Sequence, residues 1–219
     1  MLSKEILIKQ IPVLKSTDKG SLALSLMEEY KLKHLPVVDD GKYTCLVTER
    51  DIFSMENIEN QVKGLCFFAP YVVEDTHILE VLRIMNLDKL TLLPVIDQKG
   101  QFMGAITLPV LIEKLSEITN AESNGALIAI EISLQDYDLS NIIRLVESNN
   151  SKVLCLFSYL VKETERLIVV LKIDSEDASA VLRSFERFNY SVVYYFQKQS
   201  LTDDIQRNRL DELMYYLQM

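Results

Sequence analysis

The stretch Leu35-Pro36-Val37-Val38-Asp39-Asp40-Gly41, continuing through Tyr43–Val47 to Thr48-Glu49-Arg50-Asp51-Ile52, decides the architecture. Four apolar residues run into Asp-Asp-Gly, which is turn chemistry because Asp and Gly tolerate positive φ. Tyr43 to Val47 reads as a second short strand ending at Thr48, after which Ile52, Phe53 and Met55 fall at helical spacing. The order is strand, tight turn, strand, helix. Thr48 with an acid three positions on reads first as a capping box that satisfies orphan backbone N–H groups. The same geometry also suits a ligand, since a helix N-terminus offers N–H groups and a positive dipole end to a phosphate. Asp51 would then accept from two ribose hydroxyls, with Thr48 and Arg50 facing phosphate oxygens.

The stretch occurs twice. Leu93-Pro94-Val95-Ile96-Asp97, the turn Gln98-Lys99-Gly100, Phe102–Ile106 and Thr107 repeat it. Pro36 and Pro94 lie 58 positions apart, as do Met27 and Met85, and Thr48 and Thr107 lie 59 apart, so one residue is inserted in the second turn. Self-similarity at a fixed period is stronger evidence of architecture than a short motif. Each copy, 11–56 and 70–117, reads as short strand, helix, two strands, helix. Leu22, Leu26 and Tyr30 mark one face of the first helix, and Ile78, Val81, Leu82 and Met85 mark its counterpart, with Thr76 as the expected N-cap. Met27 and Met85 are expected to fill the core, and His77 to lie at the surface.

The doubled Leu-Pro-Val-Val-Asp, hairpin and Thr-Glu-Arg-Asp pattern over residues 5–118 resembles a CBS-domain pair, or Bateman module. The resemblance implies a regulatory module whose two repeats pack through their sheets and form clefts for adenosine-containing ligands: AMP, ADP, ATP or S-adenosylmethionine. On this sequence it implies Thr48 as the phosphate-side hydroxyl and Asp51 as the ribose-binding acid, with Arg50 beside them. The base-side wall falls on Leu35 and Pro36 with the entry strand around Val13, and His34 stands at the cleft mouth. The second copy departs from the pattern. It reads Thr107-Leu108-Pro109-Val110, and Val110 cannot accept a hydrogen bond, so an unpaired ribose diol there costs on the order of 1–3 kcal/mol. One competent cleft per chain is expected.

After Leu115 the character changes. Thr119–Gly125 is polar and short in side chain, a linker. Then follow strand 126–132, helix 138–149, strands 152–161 and 166–173, helix 177–188 and strand 191–196. The order βαββαβ suggests a ferredoxin-like sandwich. Beside a CBS pair this resembles an ACT domain, the arrangement of the acetoin-utilisation CBS–ACT family. The turn Gln135–Leu139 lacks the glycine that would let a ligand approach the backbone. A dimerisation role is therefore expected in place of amino-acid binding, and the β-branched and aromatic run Val192–Phe196 suits sheet pairing between chains. Residues 202–219 read as a final helix with an apolar stripe of Leu210, Leu213, Met214 and Leu217.

The fold class is thus α+β. The expected domains are repeat 1 over 1–60, repeat 2 over 61–118, linker 119–125, an ACT-like domain over 126–200 and a C-terminal helix over 201–219. The alternative functions are an amino-acid sensor in the C-terminal half and a purely structural assembly module. A net charge of −9 and a pI near 4.8 argue against nucleic acid and against an anionic membrane surface as partners. Cys45, Cys66 and Cys155 form no Cys-x-x-Cys and have no neighbouring His. Separate buried thiols, no metal site and a reducing cytoplasmic setting are expected. No export signal or membrane span is read. With two His and no nucleophile or P-loop motif, the chain is expected to be no enzyme. The expected mode of action is a homodimer that acts in trans on an enzyme or transporter.

Overall fold

Two hairpins of one design organise the first part of the chain. The computed structural model describes residues 1–197. In order these form α1 (Ser3–Ile6), α2 (Gly20–Tyr30), β1 (His34–Asp39), β2 (Lys42–Thr48) and α3 (Glu49–Phe53). A 3₁₀ turn (Val62–Leu65) then leads to β3 (Val72–Val73), α4 (Ile78–Leu87), β4 (Leu92–Ile96), β5 (Phe102–Thr107) and α5 (Leu108–Ile118). The second part holds β6 (Leu127–Ile132), α6 (Leu139–Glu147), β7 (Val153–Val161), β8 (Arg166–Ile173), α7 (Ser179–Arg187) and β9 (Ser191–Phe196). The chain divides into two compact units at Leu115/Ser116. The expected helix at 202–219 lies outside the described residues.

Repeat symmetry extends to fine detail. Both hairpins carry a register shift at the same point, after Val37 in β1 and after Val95 in β4. Asp40 and Gly41 both have positive φ, 50° and 78°, as the turn between right-twisted strands requires. Each first helix ends at a left-handed lysine, Lys31 and Lys89, both with φ 54°. The N-cap of α4 is His77, whose Nδ1 accepts from the Leu79 N–H at 3.4 Å, and not the expected Thr76. In the first repeat the entry strand shortens to one parallel bridge, Leu14 with Val37.

Each repeat is completed by the residues that lead into the other. Ile8 exchanges hydrogen bonds with Ala105 of β5 (2.9 and 3.1 Å), and Ile6 joins the second repeat's core. Correspondingly, the Leu46 N–H of β2 donates to the Phe68 carbonyl at 2.9 Å. Because side chains alternate along a strand, Cys45 and Val47 face the first core, with Leu35, Val37 and Ile52, while Leu46 faces the second. The middle of β2 is therefore buried on both sides, which is what locks the two repeats together. Residues 6–8 thus pack with the second repeat although they precede the first in the chain.

The cysteine expectation is corrected here. Cys45 and Cys66 are joined in a disulfide, with Cα atoms 5.3 Å apart; Cys155 is free. The pairing is non-local, created when the segment leading into repeat 2 crosses β2, so no spacing in the sequence announces it. Phe67, beside the bonded Cys66, is 89% exposed.

The second unit has the order expected of it. Its antiparallel sheet runs β7-β8-β6-β9, the ferredoxin-like arrangement. Ile128, Ile130 and Ile132 alternate with Ala129, and Val169 and Leu171 with Ile168 and Val170, so one face packs on α6 and α7 through Ile142, Val146, Val181 and Phe185. On the other face Lys172 extends its ammonium to the Ala121 and Ser123 carbonyls (3.3 and 2.7 Å), which fixes the linker to the sheet.

Gly104 tests the crossing. Its φ is 148°, and a Cβ there would collide with the Ile8 carbonyl oxygen and sit 2.8 Å from Leu7 Cδ1. Gly104→Ala is expected to destabilise the protein by roughly 1–3 kcal/mol, read as a lower urea midpoint with an unchanged slope.

Candidate functional site

The acid and the hydroxyl singled out above meet at the end of β2. Thr48 pairs with His34 across the hairpin and caps α3. The Asp51 N–H donates to Thr48 Oγ1 (3.1 Å), while the Thr48 N–H and hydroxyl both donate to Asp51 Oδ2 (2.9 and 2.7 Å). The capping box is therefore real, and it holds the Asp51 carboxylate half-buried in one orientation. Oδ2 is committed to the cap; Oδ1 is left as an acceptor.

The expected dipole contribution is smaller than the sequence implies. The helix α3 has five residues, too short for a sizeable macrodipole. Two of its first N–H groups are already used, Glu49 by the Lys33 carbonyl (3.0 Å) and Asp51 by Thr48. Positive charge at this end comes instead from Arg50, which is exposed and makes no ion pair among the described residues.

His34 is buried at the seam between the repeats. The Thr91 N–H lies 3.3 Å from its Nδ1 and the Thr91 hydroxyl 2.9 Å from it, and the Lys33 N–H donates to Thr91 Oγ1 at 3.2 Å. A backbone N–H can only donate, so Nδ1 accepts and the ring proton sits on Nε2. Burial pushes the imidazole below the usual histidine range; the Asp51 carboxylate pulls it up, and Lys33 adds to the drop. The sequence named His34 but not Thr91, whose tie to it spans 57 positions. Its one signal was its place immediately before the second apolar run.

The base-side residues separate. Val13 is 39% exposed and borders the entry bridge. Pro36 is buried, its carbonyl accepting from the Leu14 N–H at 2.9 Å. Leu35 is wholly enclosed in the first core with Ala23 and Met27, and presents no surface. In the second repeat Thr107 is buried at the corresponding position, and Val110 packs against the second core where Asp51 has its carboxylate. A separate cavity of about 580 Å³ opens on the α4 side of repeat 2, lined by Leu79, Leu82, Arg83, Met85 and Leu108 among others. It reaches Thr91 but neither Thr48 nor Asp51. No group of three or more His, Cys, Asp or Glu that could hold a metal occurs among the described residues. No described helix is long and apolar enough to cross a membrane.

The sequence profile of the CBS domain matches residues 3–56 and 69–117. The chain carries a tandem pair of CBS domains. The profile starts at the lead-in helix, in keeping with the crossing of residues 6–8 onto β5. Over 148 residues the chain is 26% identical to an inosine-5'-monophosphate dehydrogenase of Methanocaldococcus jannaschii, 66% of this chain and 29% of that enzyme. It is 26% identical over 135 residues to a CBS domain-containing protein of Dictyostelium discoideum, covering 54% of this chain and 93% of the relative. It thus spans less than a third of the dehydrogenase. In structure it is similar to a CBS domain pair/ACT domain protein of Thermotoga maritima. The TM-score is 0.50 at 22% identity, over 53% of this chain and 98% of that one, a likeness of fold.

The depressed His34 sets a pH dependence. An imidazole harder to protonate folded than unfolded contributes stability above the unfolded value near 6.5, which is lost as pH falls below it. Melting temperature should therefore decline between about pH 7.5 and 5.5 in the wild type, and less steeply in His34→Asn, which keeps an acceptor near Nδ1.

Proposed function

We propose that the CBS pair is a regulatory sensor of an adenosine-containing nucleotide, bound in the cleft of the first repeat. The observation that carries the reading is the held Asp51 carboxylate, with Oδ1 free to accept ribose hydroxyls and Arg50 beside it for phosphate. Thr48 stands next to them at the end of β2. The absence of an acid at Val110 makes the first cleft the competent one. Val13, Pro36 and His34 form the base-side border, while the enclosed Leu35 supports them from the core. AMP, ADP, ATP and S-adenosylmethionine all carry the ribose that Asp51 would recognise.

In this reading the C-terminal βαββαβ unit is an ACT-like domain that dimerises the chain. The edge strand β9 supports this, because Val192–Phe196 carries neither charge nor proline against pairing with another edge, although Val193 forms a bulge against β6. The turn between β6 and α6 speaks against amino-acid capture there: Ser133 is bonded to Asp136 at 2.6 Å and Asp138 caps α6. The output is regulation of an enzyme or transporter in trans, in the cytoplasm, by a ligand that binds one arrangement of the module better than another.

A thermal-shift panel of AMP, ADP, ATP and S-adenosylmethionine tests this. At 100-fold its dissociation constant a ligand stabilises by about 2.7 kcal/mol. Asp51→Ala would also remove the cap, so Asp51→Asn is the cleaner probe: it should weaken binding roughly tenfold or more while leaving the fold intact. Arg50→Gln should weaken the phosphate-bearing ligands selectively. An unchanged affinity in Asp51→Asn would remove the site assignment, and silence across the panel would favour a purely structural module.

A further inference from the structure

The two crossings that complete the repeats occupy matching places but are held differently: Ile8 exchanges two hydrogen bonds with Ala105, whereas Phe68 accepts one from Leu46. Val37 faces Cys45 across the first hairpin, and Val95 faces Gly104 across the second. At the second crossing Gly104 leaves room for Leu7 and Ile8, and the contact is held by hydrogen bonds and apolar packing with no covalent tie. At the first crossing Cys45 is bonded to Cys66. The covalent tie therefore falls at the repeat that carries Asp51, and not at the one that carries Val110.

The tie governs a well-defined piece of chain. Leu46, next to Cys45, donates its N–H to the Phe68 carbonyl, and the half-buried Tyr43 donates its hydroxyl to the Pro70 carbonyl at 2.9 Å. On its other side the segment is fastened to the turn that follows the entry bridge: the Val62 N–H donates to the Asp18 carbonyl (2.8 Å) and the Lys63 N–H to the Ser16 carbonyl (3.0 Å). Residues 62–70 thus bridge that turn and the strand ending at Thr48. Cys45 stands three positions before Thr48, on the same strand.

We propose that Cys45–Cys66 is a reversible redox device that clamps this bridge, tightening the cleft of the first repeat when oxidised and releasing it when reduced. Cys45 is 1% exposed and Cys66 partly exposed, so a reductant meets the Cys66 sulfur first. The co-reactant is a dithiol. One of its thiolates attacks Cys66 Sγ, forming a mixed disulfide and expelling the Cys45 thiolate, which takes up a proton. The second thiolate of the dithiol then attacks its own sulfur in the mixed disulfide and releases Cys66, which is protonated in turn. Two electrons and two protons pass to the protein, and the dithiol becomes a disulfide; oxidation reverses each step. Disulfides of reducing compartments are characteristically of this transient, sensing kind. The effect on ligand affinity rests on the nucleotide reading above; the release of residues 66–70 does not.

The test uses the full chain, oxidised with glutathione disulfide or reduced with dithiothreitol, beside Cys66→Ser. Thiol labelling after unfolding in denaturant should count one free cysteine, Cys155, in the oxidised chain and three in the reduced one. The Leu46 amide should exchange about tenfold faster after reduction, and in Cys66→Ser under both conditions, while the equivalent Ala105 amide stays unchanged. AMP affinity should fall on reduction of the wild type and be insensitive to reductant in Cys66→Ser. Three free thiols after oxidation, or identical Leu46 exchange in both states, would overturn the device. Altered exchange with unaltered AMP affinity would overturn its coupling to the cleft. No AMP binding in either state would count against the nucleotide reading alone, with the Leu46 amide still deciding the device.

Discussion

Burial of β2 on both faces is the constraint on which the first unit depends. A strand with one wet face needs alternating polarity; here Cys45, Leu46 and Val47 are all enclosed, because successive side chains enter different cores. Neither hairpin can therefore hold its shape without the other. The N–H and C=O groups that such a strand would leave unpaired are taken up by the chain leading into each repeat, Phe68 on β2 and Ile8 on β5. Packing and hydrogen bonding thus make the same demand, and the 58-residue period is its visible trace.

The candidate site uses groups that folding has already positioned. Thr48 and Asp51 satisfy one another as a cap before any ligand is considered, so the carboxylate pays for its orientation out of local stability and presents a single free oxygen. The same economy explains why the second repeat holds its fold with Val110 in place of an acid. Thr107 still ends its strand, the Leu108 N–H still finds the Thr91 carbonyl as Glu49 finds Lys33, and Pro109 needs no partner in the first turn. The capping acid is present in the first repeat and absent from the second.

Local pattern made much of this legible from sequence. The Asp40-Gly41 turn, the Thr48 cap and the six elements of the second unit follow from turn chemistry and from periods of 2 and 3.6, which act over a few residues. What the pattern could not carry was non-local. The joining of Cys45 to Cys66, the seat of Ile6 in the other repeat's core and the tie of His34 to Thr91 arise from the crossing of segments far apart in the chain. The enclosure of Leu35 is non-local for a related reason: alternation assigns a strand residue to a face, but only the assembled pair shows which face is core. The shortness of α3 was hidden because Met55 continues the apolar spacing beyond Phe53, where the helix ends.

The reciprocal lead-ins also bear on how such a chain could arise and be taken apart. An isolated repeat would have its lead-in strand but no hairpin to lay it on, and its own hairpin would stand uncovered. Two identical copies would each cure the other's defect by trading lead-ins, giving an intertwined homodimer in which every contact occurs twice. Joining two such copies end to end would give a single chain of the present kind, in which the matching positions hold Cys45 at one crossing and Gly104 at the other. A cut between the repeats should yield halves that recover order only when mixed.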